Sequence, residues 1–162
     1  HYQAVVDHIS RARADGAALL AGGHAIDELA PGYFLAPTVL QVASNDLPIC
    51  QHEVFGPVVT IQVFDSDEEA FALANDSNFG LVSYVWTESL QRSLKAQQRI
   101  GAGTVWVNTP MVRDLRAPFG GFKQSGIGRD GPRQSADFFT EEKATIVVRE
   151  SSALVRMGMG TS

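Results

Sequence analysis

Apolar residues recur at helical spacing at the start of the chain. Val5, Val6, Ile9 and Ala12 fall on one face, while charged and polar residues occupy most positions between them. This pattern predicts an amphipathic helix that ends at Gly16, because glycine is a common residue at the end of a helix.

Short strand-like segments follow the first helix. Residues 17–20 are apolar and are followed by two glycines, which predicts a short buried strand. Residues 33–42 predict two strand-like pieces broken at Pro37, since proline cannot donate a hydrogen bond to a neighbouring strand. Residues 45–53 have no clear period, and Pro48 argues against a long helix there.

From residue 57 onwards, strand-like and helix-like segments alternate with short connections. The segment PVVTIQVF is apolar and β-branched almost throughout, which is typical of a strand covered on both faces. Ser66 and Glu69 form a capping-box pattern, and Thr87 is a second candidate N-cap. The alternation predicts parallel βαβ units, and therefore an α/β fold with an open, parallel-type sheet and flanking helices. Strands are expected at 57–64, 81–86 and 104–107.

The remainder of the chain begins with a long stretch that has no regular period. Residues 108–131 are rich in glycine, and loops of that length in compact domains tend to be functional. A short helix is expected at 134–139, and a strand from Ala144 to Val148 has no obvious partner in this chain. Residues 151–162 are mostly small and polar, which predicts a flexible tail.

The composition argues against several classes of function. The chain has 162 residues, which corresponds to about one domain. Its 13 basic and 18 acidic side chains give a net charge of −5, whereas nucleic-acid binding needs a basic surface. No apolar run is long enough to span a membrane, so neither nucleic acid nor membrane is an expected partner. The single cysteine suits a reducing, cytoplasmic compartment, and the start at His1 predicts a fragment of a longer protein.

Two patterns that resemble active-site motifs have a simpler structural interpretation. Gly126, Gly128 and Gly131 match GxGxxG, but no core strand precedes them, which favours a turn before a helix over a dinucleotide site. Cys50 and His52 suggest a thiol nucleophile, yet residues two apart in an extended segment face opposite sides. The four histidines are scattered and the cysteine is single, so no metal site is predicted.

Four positions are candidates for binding, and the residues alone leave two interpretations of each. Arg113 and Arg116 precede the glycine-rich run, and they either grip a carboxylate or are solvent-exposed and paired with Asp114. Glu53 and Phe55, in EVFGP, either present a carboxylate and an aromatic face to a ribose diol or belong to the surface.

Five segments together resemble one enzyme family. They are GYFLAPTVL at 32–40, EVFGPV at 53–58, NFGL at 78–81, AGTVWVN at 102–108 and PFGGFKQSGIGRDG at 118–131. Their order and co-occurrence are similar to the C-terminal part of NAD(P)-dependent aldehyde dehydrogenases. The stretch from 108 to 131 is most similar to the branch that acts on muconic-type semialdehydes, such as 5-carboxymethyl-2-hydroxymuconate and 2-hydroxymuconate semialdehyde.

The resemblance implies a chemistry and a set of roles. The family oxidises an aldehyde through a cysteine thiolate, passes a hydride to a nicotinamide and hydrolyses the resulting thioester. By resemblance, Glu53 would bind the nicotinamide ribose, Phe55 would pack near the nicotinamide, and Phe119 would help to wall the substrate tunnel. Asp130 stands where the family commonly has glutamate and would assist a proton relay. Cys50 matches no catalytic position, so the nucleophile is expected outside this chain, and the chain alone is expected to be inactive.

The same resemblance implies a substrate, a cofactor and an assembly. Muconic-type substrates carry carboxylates, which gives Arg113, and also Arg116, a role as substrate anchor. The cofactor would be NAD, with NADP as the alternative. The strand from Ala144 to Val148 would add to a neighbouring subunit and form a homodimer or homotetramer. The implied parts are a catalytic-domain portion at 1–140, the oligomerisation strand at 141–150 and the tail at 151–162.

Two other functions fit the same residues. One is a non-catalytic interaction module that keeps the fold without the chemistry. The other is an aldehyde dehydrogenase for a neutral aldehyde, in which both arginines are merely solvated.

Overall fold

The computed structural model describes residues 1–147 and Arg149, which form a mixed α/β fold. The helices are α1 (Tyr2–Ala14), α2 (Pro48–Gln51), α3 (Asp67–Asn75), α4 (Leu90–Arg99) and α5 (Pro132–Phe139). The strands are β1 (Ala18–Ala21), β2 (Thr38–Gln41), β3 (Val58–Ile61), β4 (Phe79–Gly80), β5 (Val82–Val85), β6 (Thr104–Val107) and β7 (Phe122–Lys123). Among these residues no helix has the length and apolar character needed to cross a membrane.

The strands form three small sheets. One has three strands in the order β1–β2–β3, and the other two are the pairs β4–β7 and β5–β6. β2 runs parallel to β3, with Thr38 opposite Val58, and β5 runs parallel to β6, with Val82 opposite Thr104. β1 is antiparallel to β2, and β4 is antiparallel to β7. The α/β class and the parallel pairing are therefore confirmed. The expected continuous strand series is divided, because β3 pairs with β2 and not with β5.

The core lies where α1, β2 and α2 meet. It is a cluster of buried apolar side chains: Ala12, Ala17, Leu40, Val42 and Ile49. Thr38 is buried beside them, and its hydroxyl donates to the carbonyl of Ala36 and accepts from the amide of Gly23, both at 2.9 Å. The predicted break at Pro37 is confirmed, because β2 begins at the next residue.

The predicted helix starts are confirmed in one case and wrong in the other. Ser66 caps α3 by accepting a hydrogen bond from the amide of Glu69 at 3.1 Å, and the Glu69 carboxylate accepts from the amide of Asp65 at 2.8 Å. The N-cap of α4 is Ser89 and not Thr87. The Ser89 hydroxyl accepts from the amide of Arg92 inside the helix at 3.2 Å, whereas the Thr87 hydroxyl accepts from the amide of Ser89 at 3.1 Å.

The expectation that β3 is covered on both faces is wrong for this chain. Val58 packs against the core cluster, but Val59 is 53% exposed and Ile61 is 44% exposed. The strand is also shorter than its apolar sequence suggests, since Val63 and Phe64 follow it outside the sheet and are themselves exposed. The continuous apolar pattern thus corresponds to one face packed inward and one face turned outward.

The structure describes the predicted oligomerisation strand only in part. Residues 144–147 lie outside any strand, while Val148 and the predicted tail at 151–162 lie outside the described residues. A strand that is completed only by a second copy has no partner here, so the assembly through this segment stays a prediction.

Candidate functional site

Three of the motif segments meet backbone to backbone at the glycine-rich stretch. A Cβ atom at Gly103 would overlap the carbonyl of Gly120, and a Cβ atom at Gly80 would overlap the carbonyl of Gly101. Side chains are therefore excluded at these two crossings. The sequence elements 78–81, 102–108 and 118–131 form one unit because glycine allows this close approach.

The glycine-rich stretch folds back on itself as a closed loop. The backbone amide of Phe119 donates to the carbonyl of Asp130, and the amide of Asp130 donates to the carbonyl of Phe119, both at 2.7 Å. Within the loop, Nη1 of Arg129 donates to the carbonyl of Gly121 at 2.9 Å. Lys123 ties the loop to the end of α3, because its ammonium donates to the carbonyls of Asn75 and Ser77 at 2.7 Å each. The position of Phe119 and Asp130 is thereby fixed.

Arg113 reaches this pair of residues from the preceding loop. Its guanidinium lies 3.8 Å from the carboxylate of Asp130 and 4.8 Å from the centre of the Phe119 ring. Asp130 also accepts a hydrogen bond from the hydroxyl of Ser135 in α5 at 3.1 Å. Arg113, Asp130 and Ser135 line a cavity of about 250 Å³. The structure thus brings three predicted site residues, Arg113, Phe119 and Asp130, into mutual contact.

Arg116 has a different environment from Arg113. Its Nε donates to one oxygen of the Asp114 carboxylate at 2.9 Å and its Nη2 donates to the other at 2.8 Å. Hydrogen bonding from Arg116 holds the pKa of the Asp114 carboxyl below its ordinary value, and the same pair raises the pKa of Arg116. The guanidinium of Arg116 is therefore already paired with Asp114. This agrees with the second interpretation of Arg116, an exposed arginine paired with Asp114.

Glu53 and Phe55 face two different cavities. Glu53 lines a cavity of about 520 Å³ between α3, β5 and the glycine-rich loop. The ring of Phe55 is 78% exposed and lines a second cavity of about 820 Å³ beside α1. Phe55 has a φ of 53°, unusual for a residue with a side chain, and its carbonyl lies 2.7 Å from Nε2 of His1. Strain of this kind tends to occur at functional positions.

The structure does not place Glu53 and Phe119 in one cavity. Phe119 lines a third cavity, of about 790 Å³, between the glycine-rich loop and α5. Leu81 and Ser125 line both this cavity and that of Glu53, so the two hollows are neighbours on either side of the loop. The Glu53 cavity therefore borders the glycine-rich loop at Gln124 and Ser125, while Phe119 faces the adjacent hollow.

The two simpler interpretations of motif-like patterns agree with the structure, but the extended segment expected around Cys50 is wrong, because Cys50 lies in α2 and His52 follows it. The glycines of GxGxxG follow β7, a two-residue strand in an antiparallel pair, and precede α5, so they form a turn before a helix. His52 directs Nδ1 at the carbonyl of Pro48 at 2.9 Å and not at Cys50. Burial raises the pKa of the Cys50 thiol, an effect that a hydrogen bond with Thr60 only partly offsets. Among the residues that the structure describes, no three His, Cys, Asp or Glu side chains gather as a metal site.

Two residues at the site were not found from the sequence. The side chain of Asn108 accepts from the amide of Thr87 at 2.8 Å and donates to its carbonyl at 2.7 Å, with Asn108 itself at a φ of 54°. Lys123 also has a positive φ, of 53°. An asparagine directly after a strand is a usable signal for such a turn, because asparagine tolerates the left-handed region. The contacts of Lys123 depend on the tertiary fold and leave no local signal.

The chain is similar to a known protein family over most of its length. The model of the aldehyde dehydrogenase family matches residues 1–145. Among curated proteins, the 2-hydroxymuconic semialdehyde dehydrogenase of Pseudomonas putida is 43% identical over 146 residues, which are 88% of this chain and 29% of that protein. The 2-aminomuconic semialdehyde dehydrogenase of Danio rerio is 40% identical over 153 residues, covering 91% of this chain and 31% of that protein.

Solved structures give the same picture. The AldA indole-3-acetaldehyde dehydrogenase of P. syringae, in complex with NAD⁺ and IAA, superposes with a TM-score of 0.83 at 42% identity. That match covers 89% of this chain and 29% of the other. HpcC from Thermus thermophilus superposes with a TM-score of 0.86 at 35% identity, covering 98% and 32% respectively. The chain spans less than a third of the length of each of these four proteins.

Proposed function

Because this chain belongs to the aldehyde dehydrogenase family, we propose that it forms the substrate-facing part of an enzyme that oxidises a carboxylated, muconic-type semialdehyde to the acid with NAD⁺. The observation that carries the proposal is the Arg113 guanidinium, held over the Phe119 ring at 4.8 Å beside a cavity. Relatives named for 2-hydroxymuconic and 2-aminomuconic semialdehydes support the same substrate class.

The substrate carboxylate would bind to Arg113. The ion pair between Arg113 and Asp130 spans 3.8 Å, longer than a charge-assisted hydrogen bond, and the Arg113 side chain is 54% exposed. Its donors can therefore turn to a carboxylate without first breaking a short bond. Arg116 lacks this freedom, because Asp114 occupies its fork on both sides.

The cofactor would be held by Glu53 and Phe55, which are two residues apart in the chain although they line different cavities. When bound, NAD⁺ supplies the acceptor for the hydride that leaves the aldehyde carbon. The Glu53 side chain has no hydrogen-bond or ion-pair partner among the described residues, so its carboxylate is available to a ribose diol. The exposed ring of Phe55 would pack against the flat face of the nicotinamide. NADP stays the alternative cofactor.

In the overall reaction, one aldehyde and one water give one carboxylic acid. The two electrons leave the aldehyde carbon as a hydride, and one proton is released. A cysteine thiolate adds to the aldehyde carbon, the hydride leaves, and water cleaves the thioester. The Asp130 carboxylate would pass on the proton of that water, while Arg113 and Phe119 hold the substrate in place.

We expect the chain by itself to be catalytically silent. Burial raises the pKa of Cys50, its Sγ lies 4.0 Å from the carbonyl of Ser44, and His52 is hydrogen-bonded elsewhere. Incubating the chain with NAD⁺ and an aldehyde should produce no NADH above background, measured by absorbance. Turnover that disappears in a Cys50→Ala variant would contradict this assignment.

The substrate class is tested on the intact enzyme with a small substrate panel. At saturating NAD⁺, kcat/KM for a carboxylated semialdehyde should exceed that for a neutral aldehyde of similar length by about tenfold or more, the value of one charge-assisted pair. NADH formation measures both. Equal values would favour the neutral-aldehyde alternative, and no turnover with any aldehyde would favour the non-catalytic module.

We further propose that the enzyme is a cytoplasmic homo-oligomer joined through the segment 144–148. Ile146 is 90% exposed and Val147 is 79% exposed, which is unfavourable for apolar side chains in an isolated chain. Pairing with an edge strand of a second copy would cover them.

A further inference from the structure

Trp106 lies directly beneath the loop that carries Arg113. It belongs to β6, opposite Tyr84 of β5, and the two rings stack with their centres 5.2 Å apart and their planes at 11°. The stack fixes the direction of the indole, since the ring is held on one face by a partner on the neighbouring strand. The indole N–H therefore points to a defined place.

That place is the peptide bond that leads into Arg113. Nε1 of Trp106 donates to the carbonyl of Val112 at 2.7 Å. The carbonyl of Val112 and the amide of Arg113 belong to the same planar peptide unit. Holding the carbonyl thus fixes the orientation of this peptide unit and limits the positions from which the Arg113 side chain can start.

The start of the loop is held independently. Asn108 is fixed to the backbone of Thr87 by two hydrogen bonds, and Met111 and Asn108 both have positive φ, of 50° and 54°. Between this start and Val112 the loop turns sharply, and the indole hydrogen bond lies at the end of the turn. Arg113 then reaches the Phe119 ring and the Asp130 carboxylate.

We propose that Trp106 is a positioning residue for carboxylate recognition, acting through the Val112 carbonyl on Arg113. In this role Trp106 acts on the substrate only through Arg113. The inference rests on the proposed function, in which Arg113 binds a substrate carboxylate, and it adds a second residue that sets the selectivity for carboxylated aldehydes.

The test is Trp106→Phe in the intact enzyme, which keeps a stacking ring and removes the N–H donor. KM for a carboxylated semialdehyde should rise by about three- to tenfold, the range for one lost hydrogen bond, while kcat and KM for a neutral aldehyde change less than about twofold. Tyr84→Phe is the matched control, because it keeps the stack and the donor and should leave both substrates unaffected. Equal changes for the two substrates would overturn the positioning role.

Coupling to Arg113 provides a sharper outcome. In an Arg113→Ala background, Trp106→Phe should cause no further increase in KM for the carboxylated substrate, because the group being positioned is absent. An independent further increase would overturn the proposal. If Arg113→Ala changes KM equally for the carboxylated and the neutral aldehyde, the proposed function fails. If Arg113→Ala raises KM mainly for the carboxylated aldehyde but Trp106→Phe does not, only the positioning role fails.

Limited proteolysis gives a readout without activity. Trypsin cleaves after Arg113 and Arg116, and cleavage follows the population of the open loop when opening is fast. Trp106→Phe should speed cleavage at Arg113 by about threefold or more, while Tyr84→Phe should not. Mass spectrometry of the digested chain measures the cleavage rate at each arginine. An unchanged rate at Arg113 in Trp106→Phe would show that the hydrogen bond from Trp106 to the Val112 carbonyl does not hold the loop.

Discussion

Replacing Arg113 with alanine in the intact enzyme should raise KM for a carboxylated semialdehyde by roughly ten- to a hundredfold, with KM for a neutral aldehyde little changed. The expected loss is about 1.5–3 kcal/mol, the value of a hydrogen bond to a charged group. Arg113 is already held in place by the Phe119 ring and by the indole contact one residue earlier, so little ordering is needed when the carboxylate binds. Steady-state kinetics with both substrates measure the effect.

Arg116→Ala is the matched control for this prediction. Arg116 lies three residues further on in the same loop, but Asp114 occupies both sides of its fork, and its side chain is 88% exposed. We expect less than about a threefold change for either substrate, as for most exposed ion pairs. A larger carboxylate-specific effect in Arg116→Ala than in Arg113→Ala would show that Arg113 is the wrong arginine for the anchor.

Replacing Gly103 with alanine should destabilise the fold by about 3 kcal/mol, at the upper end of the usual overpacking range. The added methyl group would overlap the carbonyl of Gly120, which is backbone and cannot rotate away as a side chain can. The loop that holds Phe119 and Asp130 would have to move, so the intact enzyme should also lose activity. Urea denaturation of the chain, followed by circular dichroism, measures the free energy of unfolding.

Gly101→Ala is the control for the steric argument. Two residues earlier, a Cβ atom would meet the side-chain oxygen of Asn75 at 3.3 Å and the Lys123 side chain at 4.0 Å. Hydrogen bonds hold both side chains, but at these distances a shift of a few tenths of an ångström is enough to accommodate the methyl group. We expect a change below about 1 kcal/mol, the ordinary scale of a glycine-to-alanine substitution. A Gly103→Ala variant as stable as Gly101→Ala would rule out the backbone crossing.

The sequence was sufficient where structure depends on neighbours in the chain. Val5, Ile9 and Ala12 form the buried face of α1 as their spacing predicts, and Ser66 with Glu69 caps α3 as the local pattern predicts. Both features need only a few consecutive residues. The start of α4 was mispredicted because Thr87 and Ser89 are both capping residues, and only the structure shows that the Ser89 hydroxyl meets the Arg92 amide.

The candidate site was predictable as a set of residues but not as a geometry. Arg113, Phe119 and Asp130 are near one another in sequence, yet their contact depends on a loop that reverses at Gly126 and Gly128, both with positive φ. Glu53 lines a cavity next to that of Phe119, and no pattern along the chain indicates that the two cavities are neighbours. Distances across the fold depend on how the three small sheets sit, and residue patterns along the chain do not specify that.

Two pairs of hydrogen bonds hold the loop that carries Arg113 and Arg116 at its ends. One pair joins the Asn108 side chain to the Thr87 backbone, and the other joins the backbones of Phe119 and Asp130. A loop held at both ends in this way can be exchanged as a unit. We expect that exchanging residues 109–118 for those of a dehydrogenase of different selectivity would leave the glycine crossings and the helices intact. Divergence of substrate choice can therefore proceed by exchanging about ten residues while the surrounding frame is inherited unchanged.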